Sequence, residues 1–243
     1  MEWIDAHTHI GEDVGGETAT AEELLAVMDE YGVDRAVVFC FDEVDGIPAG
    51  NDRVRRATAD EDRLAGLFRV DPAVHEPGDL RGLDGFHGFK MHPRGQDFGM
   101  QQVYEHLEVI ADTGKPVIIH TGVGDSQRRR AHPEEVLEAA ATHPDVTIVM
   151  AHTLKGYYFH APGEFRDRLQ RQNNALLDIS LMSTPSGIEV LVEDLGADRI
   201  LFASDYPYGH PLPTQKKVEL ADIGRDEREL VAGGNAARLF FDG

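Results

Sequence analysis

Positions 3 to 9 read Trp3-Ile4-Asp5-Ala6-His7-Thr8-His9, an apolar run that closes on two histidines separated by one residue. Successive side chains of a β-strand point to opposite faces, so residues two apart point the same way. We therefore expect His7 and His9 to project together from the end of a first strand. Two converging imidazoles make half of a typical metal site.

Three later segments close in the same way, each a short apolar run that ends in a side chain able to bind a metal. They span residues 117–122, 147–152 and 200–205, and their terminal ligands are His120, His152 and Asp205. A single histidine at the end of a strand is usually an ordinary polar residue. Four such endings in one chain indicate a shared site.

Apolar runs alternate with helical patterns along the whole chain, which predicts a single (β/α)8 TIM-like barrel domain over residues 1–243. Most of the runs are rich in Val, Ile, Leu and Phe without alternation, as in strands buried on both faces. The predicted strands are Trp3–His9, Ala36–Phe41, Leu64–Val70, Gly88–His92, Pro116–His120, Thr147–His152, Ala175–Ile179 and Arg199–Ala203. An open doubly wound sheet would normally offer a glycine-rich phosphate loop after its first strand, and residues 11–16 do not fit that spacing.

The ligand candidates all lie at the carboxyl ends of predicted strands, which converge at one mouth of a barrel. Neutral imidazoles and one carboxylate bind a divalent transition metal and can leave a position open for water. A metal makes that water far more acidic. Asp205 could bind the metal, accept the proton or do both, and His152 could be a ligand or an acid/base beside it.

Composition narrows the range of partners. The net charge is −21, from 44 acidic and 23 basic side chains, which disfavours nucleic acid and anionic membranes. No run approaches the roughly 18 apolar residues of a membrane span, and the first residues lack the features of a signal peptide, so we expect a cytoplasmic protein. The single cysteine, Cys40, lies in an apolar run and is expected to be a buried small side chain.

On the strength of the histidines and the aspartate described above, the chain resembles the amidohydrolase superfamily. More narrowly, it is similar to the amidohydrolase-related branch that contains aminocarboxymuconate-semialdehyde decarboxylase and related aromatic acid decarboxylases. The matching stretches occur in family order at residues 4–9, 88–93, 118–122, 150–152, 202–207 and 234–240. The resemblance implies a distorted (β/α)8 barrel of the metallo-dependent hydrolase type, closed by a helix over residues 235–240. It also implies a metal bound by His7, His9, His120 and Asp205, with His152 as acid/base or ligand of a second metal.

The resemblance also gives an expectation for the number and identity of the metal ions. We expect one divalent metal, zinc in preference to manganese. Lys90 ends the predicted fourth strand, where some relatives carry a carboxylated lysine between two metals. The alternative is an unmodified Lys90 that binds a substrate carboxylate or pairs with Asp205. His92 is expected in the pocket, and Arg69 and Arg94 are candidates for binding a substrate acid. The basic run at residues 128–130 is expected to be a solvated surface.

These features predict a metal-dependent hydrolase that uses metal-activated water on a small-molecule ester, lactone or amide. The closest alternative is a nonoxidative decarboxylase of a small unsaturated or aromatic carboxylic acid, which would use the same metal and His152 to protonate carbon. A non-catalytic barrel that binds a ligand is a third hypothesis. It predicts the loss of a metal-site residue, and none is missing. The expected partner is a small-molecule substrate, and a homodimer is possible.

The acidic, lysine-poor composition generates a prediction about salt. Only five of the basic residues are lysines, a pattern typical of proteins from organisms with molar internal salt, although an ordinary acidic enzyme is the alternative. Self-repulsion destabilises a compact state, and screening shortens from about 30 Å at 0.01 M salt to about 3 Å at 1 M. We expect the melting temperature to rise substantially from low salt to molar KCl, measured at fixed pH with saturating metal. A flat or falling series would indicate an ordinary acidic enzyme.

Overall fold

The computed structural model describes residues 1–122, 131–152, 157–184 and 186–242, and the basic run at residues 128–130 lies outside them. The described residues form one sheet of nine strands in the order β2-β1-β3-β4-β5-β6-β7-β8-β9. All eight predicted strands are confirmed, and β2 is an addition that pairs antiparallel with the end of β1. The strands are β1 Ile4–Glu12, β2 Thr18–Ala19, β3 Arg35–Cys40, β4 Leu64–Val70, β5 Gly88–Met91, β6 Val117–His120, β7 Ile148–Ala151, β8 Ala175–Asp178 and β9 Ile200–Leu201.

The parallel sheet curls until its two ends meet. The continuation of β9 lies along β1, where the Ala6 amide donates to the Phe202 carbonyl at 3.0 Å and the Asp205 amide donates to the His7 carbonyl at 2.9 Å. A third bond, from the His9 amide to the Tyr206 carbonyl, measures 2.8 Å. The predicted barrel is thus observed as a curled, mostly parallel sheet consistent with a TIM-like fold. Its ends are joined by these bonds and not by a regular strand ladder.

Helices follow the strands and cover the convex face of the sheet. The α1 helix begins with a capping box, in which Thr20 and Glu23 each bind the other's backbone amide, and it ends at Gly32 with a φ of 66°. Pro211 occupies the first turn of α8. None of the described helices is both long and apolar enough to cross a membrane. The helices are α1 Ala21–Tyr31, α2 Ile47–Thr58, α3 Tyr104–Thr113, α4 Pro133–Thr142, α5 Tyr157–His160, α6 Gly163–Arg171, α7 Gly187–Leu195, α8 Pro211–Leu220, α9 Arg225–Glu229 and α10 Asn235–Phe240.

Buried apolar side chains form two clusters, one on each face of the sheet. The larger cluster lies between the convex face and the helices and includes Val38 and Cys40 of β3. The smaller one fills the concave face and includes Val37 and Phe39, the alternate residues of the same strand. Residues of α10 join this inner cluster, so the closing helix plugs the amino-terminal end of the curled sheet, as the resemblance implied. These residues are Ala236, Ala237 and Phe240.

Asn235 anchors the closing helix to the last strand. Its side chain is fully buried, and its amide nitrogen donates to the carbonyls of Ala197 and Ile200, both at 2.8 Å. Each of these carbonyls would lose a hydrogen-bond donor if the side chain were shortened. A buried polar group without a partner costs about 1–3 kcal/mol.

We therefore expect Asn235→Ala to lower the free energy of unfolding by on the order of 2 kcal/mol, measured by urea denaturation at saturating metal. Asn173→Ala is the matched control, because Asn173 is exposed and its loss should change stability by no more than about 0.5 kcal/mol. Equal stabilities for the two variants would contradict the anchoring role of Asn235.

Candidate metal centre

The carboxyl ends of the parallel strands surround a cavity of about 530 Å³. Every residue that the sequence placed in the site lines this cavity, namely His7, His9, Arg69, Lys90, His92, Arg94, His120, His152 and Asp205. These residues come from six different strands or the loops that follow them. The curled sheet therefore brings the predicted strand-end residues to one place.

Alternation along the strands explains why most of these side chains point inward. Leu67 of β4 and Ile118 of β6 belong to the concave cluster, and Arg69 and His120 follow them by two residues. Ala203 is likewise concave, and Asp205 follows it by two. Because side chains repeat with a period of two, a residue two positions beyond a concave apolar residue also faces the cavity.

His7 and His152 break this alternation, and backbone irregularities re-aim them. The pairing of β1 with β3 shifts register between Asp5 and Thr8, which allows both Ala6 and His7 to face the concave side. His152 follows the concave Ala151 directly, and its φ of 56° turns its side chain back into the cavity. A left-handed conformation at a non-glycine residue costs of order 1–3 kcal/mol and concentrates at functional sites.

A compact group of potential metal ligands in the cavity consists of His7, His9 and Asp205, all buried. The Oδ1 atom of Asp205 lies 3.2 Å from His7 Nε2, and it accepts a hydrogen bond from His9 Nε2, also at 3.2 Å. His152 Nε2 lies slightly farther from the same oxygen, at 3.8 Å. One carboxylate oxygen therefore faces three imidazole nitrogens.

The tautomer of His7 indicates that a cation fits this group. Its Nδ1 lies 2.8 Å from Asp178 Oδ2, and because a carboxylate can only accept, the Nδ1–H must donate. His7 Nε2 then carries a lone pair, is buried and has no hydrogen-bond partner among the described residues. A nitrogen lone pair 3.2 Å from a carboxylate oxygen, with no proton between them, is the arrangement that a bound cation resolves.

His120 lies beside this compact group. Its ring centroid is 4.1 Å from that of His92 and 5.0 Å from that of His152. It is therefore on the same wall of the cavity as His152. Its expected role as a further metal ligand stays a prediction.

Burial sets the charge states of the site. Burial, with a smaller contribution from the charge of Lys90, lowers the pKa of His7 to about 4, and burial also lowers the pKa of His9 and of His152. Burial alone would raise the pKa of Asp205, but His152, His7 and His9 outweigh it and hold that pKa far below its usual range. At neutral pH the group thus consists of neutral imidazoles and a carboxylate, the forms that bind metals.

Lys90 is the least satisfied charge in the cavity. Its Nζ is buried without a hydrogen-bond partner among the described residues and lies 4.6 Å from the centre of the Phe39 ring. Burial, aided by the nearby Arg69 charge, lowers the pKa of Lys90 to about 7. The predicted pairing of Lys90 with Asp205 is not observed among the described residues, whereas the neutral fraction is compatible with carboxylation and the protonated fraction with binding a substrate acid.

The two candidate arginines differ in availability. Arg69 is buried and already engaged, since it donates to the Cys40 carbonyl at 2.8 Å and to the Asp42 carboxylate, and its guanidinium also lies 2.9 Å from His92 Nδ1. Arg94 is exposed at the mouth of the cavity and forms no ion pair with any residue in the described ranges. The geometry therefore favours Arg94 over Arg69 for binding a substrate acid.

Asp178 and Ser180 are parts of the site that the sequence analysis missed. Asp178 is fully buried at the end of β8 and contacts His7, and Ser180 Oγ lies 2.6 Å from His152 Nδ1. Burial would raise the pKa of Asp178, but His7, His152 and Ser180 hold it far below its usual range. A carboxylate that closes the apolar strand Ala175–Asp178 is the same signal that identified Asp205, and it was available in the sequence.

The solved structures with a similar fold include those of decarboxylases and of a hydrolase. A 5-carboxyvanillate decarboxylase from Sphingomonas paucimobilis matches with a TM-score of 0.74 and 18% identity over 98% of both chains. A dihydroxybenzoic acid decarboxylase from a Polaromonas species, with bound manganese and the inhibitor 2-nitroresorcinol, matches with a TM-score of 0.69 and 17% identity over 98% of this chain and 96% of that one. A probable 2-pyrone-4,6-dicarboxylic acid hydrolase from Acinetobacter baumannii, with citric acid bound, matches with a TM-score of 0.73 and 17% identity over 99% of each.

The TM-scores show a shared fold, and at 17–18% identity these matches show the fold alone. Among curated protein sequences, none matches the chain significantly. A family model described as amidohydrolase, in contrast, matches residues 4–241, which is nearly the whole chain. The match includes every strand end that lines the cavity, and the chain therefore belongs to the amidohydrolase family and is an enzyme.

Proposed function

We propose that the protein is a metal-dependent hydrolase that acts on a small-molecule ester, lactone or amide bound in the cavity at the strand ends. The observation that carries this proposal is the buried His7 Nε2, which has no hydrogen-bond partner among the described residues and faces Asp205 Oδ1 at 3.2 Å. Because His7 Nδ1 carries the hydrogen, the two facing atoms are both acceptors, and burying them together is unfavourable unless a cation lies between them.

The proposed cofactor is one divalent ion held by His7, His9, His120 and Asp205. An imidazole-rich donor set with one carboxylate suits zinc, and manganese is the alternative because a structural neighbour carries it. When bound, such an ion acts as a Lewis acid that polarises a substrate carbonyl and acidifies water. A second ion bridged by a carboxylated Lys90 is the less favoured arrangement.

Side chains of the cavity supply proton transfer, substrate binding and positioning of the imidazole. Asp205 is a carboxylate at neutral pH and is placed to take a proton from a nucleophilic water, while His152 Nε2 faces the same oxygen from 3.8 Å. Arg94 at the mouth is placed to bind an acidic group of the substrate. Phe41 stacks on His9 with ring centroids 5.0 Å apart, and it forms an apolar wall that holds the imidazole in position.

Decarboxylation of a small aromatic or unsaturated acid is the second candidate reaction. Two of the three structural neighbours described above are decarboxylases of aromatic acids, and Arg94 and Lys90 supply cationic groups for a carboxylate. Both reactions would use the same metal and His152. A homodimer and a cytoplasmic location remain predictions.

Metal content provides a direct test of the proposed centre. We expect protein purified without added metal to contain close to one equivalent of a divalent ion by elemental analysis, and His7→Gln to lose most of it because a ligand is removed. His87→Gln is the matched control, since His87 is exposed and lies outside the cavity. Less than a tenth of an equivalent in the wild type, with activity unaffected by a chelator, would contradict the proposal.

Substitution of the proposed proton acceptor tests the mechanism. A screen over esters, lactones, amides and aromatic acids, with carbon dioxide release measured in parallel, should first identify the reaction. Asp205→Asn should then retain the fold and lose turnover by about 10²–10⁴-fold, because general acid–base help is removed. His152→Asn should behave similarly at equal metal content. A variant within threefold of wild type would exclude the role assigned to that residue.

A further inference from the structure

Asp178 connects two histidines that the proposed mechanism treats separately. Its Oδ2 accepts from His7 Nδ1 at 2.8 Å. Its Oδ1 accepts from the Ser180 amide at 3.1 Å, from the His152 amide at 3.2 Å and from the Ser180 hydroxyl. Ser180 Oγ in turn lies 2.6 Å from His152 Nδ1. The three side chains and the His7 ring are all buried, with exposures of 0% for His7, Asp178 and Ser180 and 3% for His152.

The direction of each hydrogen bond follows from the donor and acceptor inventory. Asp178 is surrounded by four donors, which is the environment of a carboxylate that only accepts. The Ser180 hydroxyl proton must therefore point to Asp178, because two oxygens in hydrogen-bonding contact need a proton between them. The hydroxyl has no second proton, so it can only accept from His152, and Nδ1 of His152 carries the hydrogen.

We infer that Asp178 and Ser180 are positioning residues that fix His7 and His152 in the same tautomer, with the hydrogen on Nδ1 and the lone pair of Nε2 facing Asp205. This inference rests on the site proposed above and adds two residues to it. Asp178 acts on His7 directly and on His152 through the hydroxyl of Ser180. By accepting the His152 amide, it also supports the left-handed backbone that aims this side chain inward.

The same geometry decides between two possible metal groups. His7, His152 and Asp178 also have ligand atoms within 4.8 Å of one another. Both Asp178 oxygens are already occupied by donors, however, and the facing nitrogens are the protonated ones. Asp178 is therefore a hydrogen-bonding partner of the two histidines, and the Nε2 lone pairs of His7 and His152 lie on the Asp205 side.

The tautomer sets the order of proton transfers at His152. A neutral imidazole with a bare Nε2 can accept a proton there but cannot donate one to an oxyanion or a carbon. The residue must first receive a proton from a water or substrate oxygen, whose bonding pair stays on that oxygen, before it can protonate a leaving group or carbon. In that protonated state, Nδ1–H still donates to Ser180, and the Asp178 carboxylate lies behind it.

Ring ¹⁵N spectroscopy of the zinc-loaded protein tests the inference without any substrate. With labelled histidine, and with His152 assigned by its absence in His152→Gln, the wild type should show a protonated Nδ1 and an unprotonated Nε2. Ser180→Ala removes the acceptor and should shift the hydrogen wholly or partly to Nε2, whereas Ser180→Thr keeps a hydroxyl and should retain the wild-type pattern. A wild-type His152 protonated on Nε2, or a Ser180→Ala spectrum identical to wild type, would overturn the inference.

Zinc affinity, measured by competition with a chromogenic chelator, separates the direct effect of Asp178 on His7 from its effect on His152 through Ser180. Asp178→Asn should weaken zinc binding by about 10–100-fold, because it removes the partner that orients His7. Ser180→Ala should leave the affinity at the wild-type value, because the contact between Asp178 and His7 persists. An equal loss in both variants, or none in Asp178→Asn, would overturn the division of roles. Neither measurement depends on turnover, so the inference and the proposed reaction can fail independently.

Discussion

The hydrogen bonds between β1 and the segment after β9 are the constraint on which the site depends. They place Asp205 beside His9, although these residues are 196 positions apart in the chain. The Asp205 amide donates to the carbonyl of His7 itself, so the bond that joins the ends of the sheet also sets the carboxylate against the first imidazole. The proposed metal site and the joining of the two ends of the sheet therefore depend on the same few atoms.

The cavity holds groups that are unfavourable by themselves. His152 and Asp205 have left-handed backbones, Lys90 Nζ lacks a partner among the described residues, and His7 presents a bare nitrogen to a carboxylate. The cost is offset by the two apolar clusters on either face of the sheet. The rigid surroundings hold these groups in place despite the strain and the electrostatic repulsion. A bound cation and a bound substrate would reduce that repulsion.

Charge is distributed differently in the cavity than over the whole chain. The protein carries a net charge of −21 from nearly twice as many acidic as basic residues, whereas the cavity is lined by three basic residues, Arg69, Lys90 and Arg94, and four acidic ones, Asp13, Glu17, Asp42 and Asp205. Asp42 neutralises Arg69, and Asp13 at the mouth accepts a hydrogen bond from Tyr208. The groups left to bind an acidic group of the proposed substrate are Arg94 at the rim and the protonated fraction of Lys90 in the depth.

The sequence by itself determined the strands and most of the candidate ligand set, because both depend on local patterns. An apolar run that ends in His120 or Asp205 marks a buried strand and the side chain at its carboxyl end, and a period of two predicts which way that side chain points. The same rule would have identified Asp178. Tertiary structure alone decided three other points: the re-aiming of His7 and His152, the neutralisation of Arg69 by Asp42, and the link from Asp178 through Ser180 to His152. Each of these depends on a register shift, a backbone torsion or a contact between distant strands, and no pattern within one segment of the chain encodes such a relation.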